Sequence, residues 1–462
     1  MAGIVVVGGG LAGLVCAWRL HRAGHDVEVL EASPQIGGRA RSESHGKLRI
    51  PVGAGFVTDG QRNVVSVAAA LGLADRVVSL EAPGGSAPAA VLRRDRFIAC
   101  TIGSGLASLR SGLLPPTSRL RLGRLAAELV RHRDRLDPLH PERAARLEDG
   151  EEMPRFVARL AGDAARDRLV SPAMSVLLGC EPDEVSAAFF LLTLRSLSLG
   201  AAPITFDGGL GVLGAALAAP ISVRTGCEVF SVETQPGGAR VRYRHAGRER
   251  SFLADAAVVA VPGPSVSTLC SSLTGYERSF FESVCYVPGI SVNLALDEMP
   301  DVLPFATGFA RGEGLGLRAL FQTDREPGTA PSGTKLLTVT LADSVARRLS
   351  QAKDEEVAAF TLDALAKTPL GLLSARQSIV HRWQHARPIF PQGALSRLEH
   401  FGVRGERSPR LAFAGDYLVG PTVEGALTSG MGAASRVVQS LEGVAEAVPN
   451  PPASVSRASA GG

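Results

Sequence analysis

The sequence predicts an α/β protein in which a discontinuous nucleotide-binding lobe carries an inserted α+β domain with a helical cap. Three observations predict it. An apolar strand, a glycine turn and a helix open the chain at "GIVVVGGGLAGLVCAWRLHRAG". Far along the chain, "RLAFAGDYLVGPTVEGALTSG" pairs another apolar strand with a helix-like run of small residues and places an acid, Asp416, between them. Between these ends, residues 91–200 change to Leu, Ala and Arg at helical spacing.

Bulk properties exclude several classes. At 462 residues, with 45% hydrophobic and 20% charged residues, the chain can bury two substantial cores. Its net charge of +4 comes from many arginines without aromatic interleaving or a Lys-rich tail, so no nucleic-acid partner is expected. Cys16, Cys100, Cys180, Cys227, Cys270 and Cys285 are scattered without a C-x-x-C pair. That pattern gives neither a disulfide framework nor a zinc ligand set, so a reducing cytoplasm and no metal are expected. No apolar run reaches the roughly 20 residues of a membrane span, and the apolar start has no basic leader pattern.

In the first segment, Ile4 to Val7 read as a buried strand, Gly8, Gly10 and Gly13 as a G-x-G-x-x-G turn, and the following residues as a helix ending near Gly24. Gly8 permits the tight turn, Gly10 lets backbone approach a pyrophosphate, and Gly13 lets helix and strand pack closely. Leu11 and Ala12 open the helix, where free N–H groups hold phosphate. A second strand, Asp26 to Leu30, ends on Glu31 and Ala32. Glu31 is placed to accept hydrogen bonds from a ribose diol, which argues against a 2′-phosphate there. "EASPQIGGRARSES" then sets Gly37 and Gly38 beside Arg39 and Arg41, bare backbone and two cations close to the same pyrophosphate. "IPVGAGFVTDG" supplies a further glycine-rich loop with Gly53, Gly55 and Phe56.

In the middle segment, Leu120, Leu125, Leu129 and Leu136 are expected to share a helix face ringed by Arg119, Arg124, Arg131 and Arg135. The plain reading is a solvated face. The functional alternative is peripheral contact with an anionic membrane surface, from which an apolar substrate is taken. A second G-x-G-x-x-G, at Gly209, Gly211 and Gly214, follows "PITFD", which reads as a poor buried strand, and opens only a short helix. A second nucleotide is therefore not expected. "CEVFSVE" and "ADAAVVAVPG" read as strands, the latter ending at Pro262. Beyond residue 286 come strands of a second sheet, an amphipathic helix at "QAKDEEVAAFTLDALAKTP", and "SIVHRWQHARPIFPQGALSRL", which gathers Trp383, Pro388, Phe390 and Gly393. Residues 446–462, rich in Pro, Ala, Ser and Gly, are expected to be disordered.

Taken together, these motifs resemble those of the flavin-containing amine oxidase superfamily, which includes protoporphyrinogen oxidases and phytoene-desaturase-like enzymes. The resemblance implies a Rossmann-like FAD-binding domain assembled from residues 1–90, 201–285 and 396–445, a helical cap at 91–200 and a substrate-domain sheet and helix at 286–395. It implies that Gly53, Gly55 and Phe56 lie beside the flavin ring, that the Val229 backbone reads the adenine, and that the chain passes the dinucleotide at Pro262. At the C-terminal motif it implies that Gly415 and Asp416 meet the ribitol. There the helix from Val423, Glu424 and Ala426 turns its positive end toward the flavin pyrimidine. The implied chemistry is hydride transfer from a substrate carbon to flavin N5, with dioxygen as oxidant.

Some features depart from the resemblance. Amine oxidases commonly hold a lysine where this chain has "GISVNLALD", and an aromatic where it has Thr422 and Val423. No cysteine follows Cys285, so the FAD is expected to be non-covalent and released on denaturation. The leading expectation is an FAD-dependent oxidoreductase that dehydrogenates a hydrophobic or polycyclic small molecule. Alternatives are amine or amino-acid oxidation, with Arg387 as a carboxylate partner, and a flavin-dependent isomerase or redox-silent FAD-binding protein. Trp383, Arg387 and Tyr417 are candidate catalytic residues from position alone. The sequence assigns no oligomeric state.

Overall fold

The computed structural model describes residues 1–80, 89–100, 112–200, 202–300, 303–326, 328–403 and 410–447. At its centre is a five-stranded parallel sheet drawn from all three parts of the nucleotide-binding lobe. Its order is Ser222–Arg224, Asp26–Leu30, Gly3–Val7, Ala256–Val259, Leu411–Phe413. Side chains alternate across the sheet. Ile4, Val6, Ala256 and Val258 pack with Leu20, Ala433 and Val437 of the helices Leu11–Arg22 and Val423–Ala447. Val5, Val7, Ala257 and Val259 share the opposite core with Val232 and Val241 of an antiparallel sheet formed by Cys227–Gln235, Gly238–His245 and Arg248–Ala254. Burial on both faces explains why the central strands read as unbroken Val and Ala runs.

The inserted domain is a seven-stranded mixed sheet ordered Ala375–Pro388, Tyr286–Leu296, Lys335–Leu341, Leu317–Gln322, Ala306–Phe309, Ala89–Arg93, Arg96–Cys100. Two boundaries are corrected by it. The expected start of the cap at residue 91 falls inside the Ala89–Arg93 strand, which pairs with Ala306–Phe309. Arg94 and Asp95, both at positive φ, turn it into a hairpin. The expected return to the nucleotide-binding lobe at residue 396 falls inside the Ala394–Val403 helix. Glu148 of the cap accepts from the Leu395 and Ser396 amides at 3.2 and 2.9 Å, so that helix sits with the cap.

The cap contains the helices Pro116–Arg131, Met153–Ala161, Ser171–Leu177 and Ala187–Leu197. The four-leucine face is also corrected. Leu125 and Leu136 are buried and Leu129 packs against the same core, whereas Leu120 is 85% exposed. A five-residue step turns a helix by about 140°, too far for Leu120 and Leu125 to share a face. "PITF" proves to be a fully buried strand, Pro203–Phe206, but it pairs antiparallel with Val57–Thr58 and Val77–Ser79 outside the parallel sheet. The glycine turn after it opens only the eight-residue helix Gly211–Ala218. The last helix continues to Ala447, and the rest of the tail lies outside the described residues. No described helix is long and apolar enough to cross a membrane.

Candidate functional site

A cavity of about 690 Å³ runs between the parallel sheet and the inserted domain. Gly8, with φ at +111°, turns the chain out of the first strand. Gly10, Leu11 and Ala12 follow along the cavity wall. Gly13 faces the strand instead, where a Cβ would overlap the Gly8 carbonyl oxygen. The Leu11–Arg22 helix has no side-chain cap, which leaves its first amides for a ligand. Gly37 donates its N–H to Gly9 O at 2.8 Å, so the two glycine motifs meet as bare backbone. A Cβ on Gly10 would meet no atom within 4 Å.

Glu31 and Ala32 line the cavity at the end of the second strand. The Glu31 carboxylate accepts from Gly9 N at 2.6 Å and Ser33 N at 2.8 Å, which folds it against the first loop. Gly38, Arg39, Gly53, Gly55, Phe56, Val229, Pro262, Gly415, Asp416, Val423 and Ala426 also reach the cavity. Arg39 makes a two-pronged pair with Asp416, at 2.7 Å from Nη1 and 3.0 Å from Nη2, and also donates to Ala386 O at 2.9 Å. Tyr286 completes the group, its hydroxyl donating to Asp416 Oδ1 at 2.8 Å. Burial works against the Arg39 charge, but Asp416 and then Tyr286 outweigh it and hold its pKa above the ordinary value. Nothing in the sequence tied Tyr286 to this group.

Two predicted site residues face elsewhere. Glu424 accepts from the Asn63 and Val64 amides, both at 2.9 Å, and so caps the Arg62–Ala70 helix. Val423 and Ala426, three apart, share the cavity face of the last helix, and Glu424 is turned about 100° from Val423. Tyr417 is buried against Phe281, ring centroids 6.1 Å apart, and its hydroxyl has no hydrogen-bond partner. The short turn Asp416–Leu418 sends Asp416 into the cavity and Tyr417 into the core. Burial, and then the Asp416 charge, raise the Tyr417 pKa far above the neutral range, so it is no acid–base group.

Trp383 and Arg387 do line the cavity. Trp383 donates Nε1–H to Val52 O at 2.8 Å, and the Arg41 guanidinium lies 5.1 Å from its ring centre. Arg387 is held through Nη2 by Asp343. Sequence reasoning missed Glu326, a buried carboxyl in the cavity wall whose Oε1 has no partner. Burial pushes it up to about 8. In "QTDREPGTAPSG" it reads as an ordinary loop acid, and no signal marked it. Glu43, His45 and His381 bring three metal-ligand atoms within 4.8 Å, but the Glu43 carboxylate is already paired with Arg41 at 2.7 Å.

The sequence matches the family described as "Flavin containing amine oxidoreductase" over residues 11–438. The chain belongs to this family. It is 22% identical over 501 residues to protoporphyrinogen oxidase 2 of Arabidopsis thaliana, covering 95% of this chain and 94% of that one. It is 23% identical to coproporphyrinogen III oxidase of Propionibacterium freudenreichii, covering 98% and 94%. Its fold matches putrescine-bound putrescine oxidase with a TM-score of 0.76 at 19% identity, covering 95% of this chain and 99% of that chain. Membership makes the protein a flavin oxidoreductase whose cofactor is FAD. The site fits that group: bare glycine backbone and the uncapped Leu11–Arg22 helix suit a diphosphate, and Glu31 and Asp416 suit hydroxyl groups at either end.

Proposed function

We propose that the protein holds FAD without a covalent bond and dehydrogenates a hydrophobic or polycyclic small molecule. The observation that carries this reading is the wall beside the Gly53–Phe56 loop. Phe56, Phe305 and Phe321 meet there edge-on or tilted, at centroid distances of 5.2 Å (Phe56 to Phe305) and 5.7 Å (Phe56 to Phe321), with Val176 beside them. Such a surface favours an apolar ligand over a hydrated one. The Tyr286–Leu296 strand, in the same sheet as the strand that carries Phe321, holds no lysine.

FAD, when bound, would supply a two-electron hydride acceptor that dioxygen could reoxidise. The protein contributes binding, orientation and electrostatics. The amides of Leu11 and Ala12 would hold the diphosphate, and Glu31 would accept from the adenosine ribose. Arg39 and Tyr286 would hold the Asp416 carboxylate in place for the ribitol hydroxyls. The Val423 end of the last helix would face the pyrimidine with its positive dipole. Phe56 and Trp383 would set the plane in which substrate lies. Glu326, kept protonated by burial, would donate a hydrogen bond rather than repel.

Purified protein should be yellow, with the flavin released by denaturation. In anaerobic mixing, apolar polyenes or porphyrinogens should bleach it lastingly, and air should then yield peroxide. Bleaching by amines or amino acids alone would overturn the reading in favour of amine oxidation, and product without bleaching would mean isomerisation.

A further inference from the structure

We propose that Glu43, His45 and His381 form a zinc site that clips the nucleotide-binding lobe to the inserted sheet. The three side chains come from two elements. Glu43 and His45 stand two residues apart on the strand Ser42–His45, so they share a face. That strand pairs with Leu48–Pro51 around the Gly46–Lys47 turn, where Gly46 takes a φ of +62°. His381 lies on Ala375–Pro388, the edge strand of the seven-stranded sheet. The hairpin therefore brings two ligands to the sheet edge, and the edge supplies the third.

The spacing suits a tetrahedral ion. Glu43 Oε2 lies 3.1 Å from His381 Nε2 and 3.5 Å from His45 Nε2, and all three atoms fall within 4.8 Å of one another. Zinc bonds of about 2.0–2.1 Å at tetrahedral angles put neighbouring ligand atoms about 3.3–3.4 Å apart. Two edges of the triangle are already near that length. His45 Nε2 is buried without a hydrogen-bond partner, a cost that an ion at the centre would remove. The His45 side chain is still 31% exposed, which leaves a route in and a fourth position for water. Two imidazoles and one carboxylate suit zinc and disfavour magnesium or calcium, which take oxygen ligands.

The Arg41 pair does not use up the Glu43 carboxylate. Arg41 donates Nε and Nη2 to Oε1 at 3.1 and 2.7 Å, and Oε2 is the oxygen turned to the imidazoles. Arg41 thus fixes the carboxylate from behind. His381 is held in a similar way. Its Nδ1 meets the Asn293 amide at 3.3 Å, and the buried Asn293 accepts from Thr338 Oγ1 at 2.7 Å. With zinc on Nε2, the imidazole proton moves to Nδ1 and the Asn293 amide turns over. Asn293 Oδ1 then accepts from Nδ1–H, and its Nδ2–H donates to the Thr338 hydroxyl, which accepts as readily as it donates. Trp383, two residues on from His381, already donates to Val52 O just past the hairpin. Zinc would join the same hairpin and strand a second time.

The test uses the flavin-loaded protein, freed of metal by a chelator and titrated with zinc chloride against a chromophoric zinc indicator. One zinc per chain should bind, unaffected by excess magnesium or calcium, and should raise the thermal midpoint. His45→Ala should weaken binding at least about tenfold and remove the zinc-dependent rise. It should keep its flavin and its metal-free midpoint, since His45 Nε2 makes no hydrogen bond in the fold. Glu43→Gln should weaken binding likewise, and carries the test if His45→Ala folds poorly. His140→Ala, at a surface His–Glu pair 3.3 Å apart, should bind zinc as the wild type does. The proposal is overturned by the lack of a saturable site at one ion per chain in the wild type. Unchanged affinity in both cluster variants, or an equal loss in His140→Ala, overturns it as well.

Discussion

Replacing Glu326 by Gln keeps the shape of the side chain and removes its titration. In the wild type the residue is 2% exposed, and burial pushes the carboxyl from its ordinary 4.5 to about 8. Below pH 4.5 the folded and unfolded chains both carry the proton. Between 4.5 and about 8 only the folded chain does, so stability fully present at low pH is lost as pH rises through that window. Each pH unit is worth about 1.4 kcal/mol, so the loss comes to about 3 kcal/mol at pH 7 and about 5 kcal/mol above pH 8. Gln has no such slope. The stability of Glu326→Gln relative to wild type should therefore grow by about 1.4 kcal/mol per unit between pH 5 and pH 8, then level off. Denaturant unfolding at half-unit pH steps, with and without saturating FAD, measures it. A constant offset, whatever its sign, reports only the hydrogen bonding of the new amide. Parallel profiles across that range would refute the reasoning, because they would mean the carboxyl is already ionised in the fold.

Tyr417→Phe removes a buried hydroxyl that has no partner, so stability should be unchanged or rise by up to about 1 kcal/mol. Turnover should be unaffected, and a tenfold loss of kcat would restore Tyr417 as a catalytic candidate. Glu424→Ala deletes the acceptor for the Asn63 and Val64 amides and should cost about 1–2 kcal/mol in unfolding experiments, with FAD content at saturation unchanged. Gly13→Ala forces a Cβ onto the Gly8 carbonyl. The purified variant should have lost most of its flavin absorbance per protein, and a fully yellow variant would show that the helix can back away from the strand.

The glycine motifs were legible because their chemistry is backbone chemistry: a turn at positive φ favours glycine, a contact with no room for a Cβ requires it, and the letter itself records the contact. Side-chain direction left no such record. Asp416 and Tyr417 are neighbours in sequence, and only the short turn between strand and helix decides that one enters the cavity and the other the core. Glu424 sits in a motif that otherwise faces the cofactor site, and one step round the helix commits it to capping its neighbour. The Ala89–Cys100 hairpin was hidden because its partner strand, Ala306–Phe309, lies far away in sequence and its exposed face carries arginines that read as a cap. Glu326 had no sequence signature at all: its character comes from burial, a property of the assembled wall.

The same assembly explains why the nucleotide-binding lobe can be interrupted without loosening the site. Arg39 belongs to the first segment and Asp416 to the last, 377 residues apart, and Tyr286 opens a strand of the inserted sheet. One carboxylate therefore joins three parts of the chain. Arg39 extends the strut further by donating to Ala386 O, and the next residue along that strand is Arg387. The backbone that braces Asp416 from one side thus also carries a second guanidinium of the cavity wall. A shift of the Ala375–Pro388 strand would therefore move the brace on Asp416 and Arg387 together.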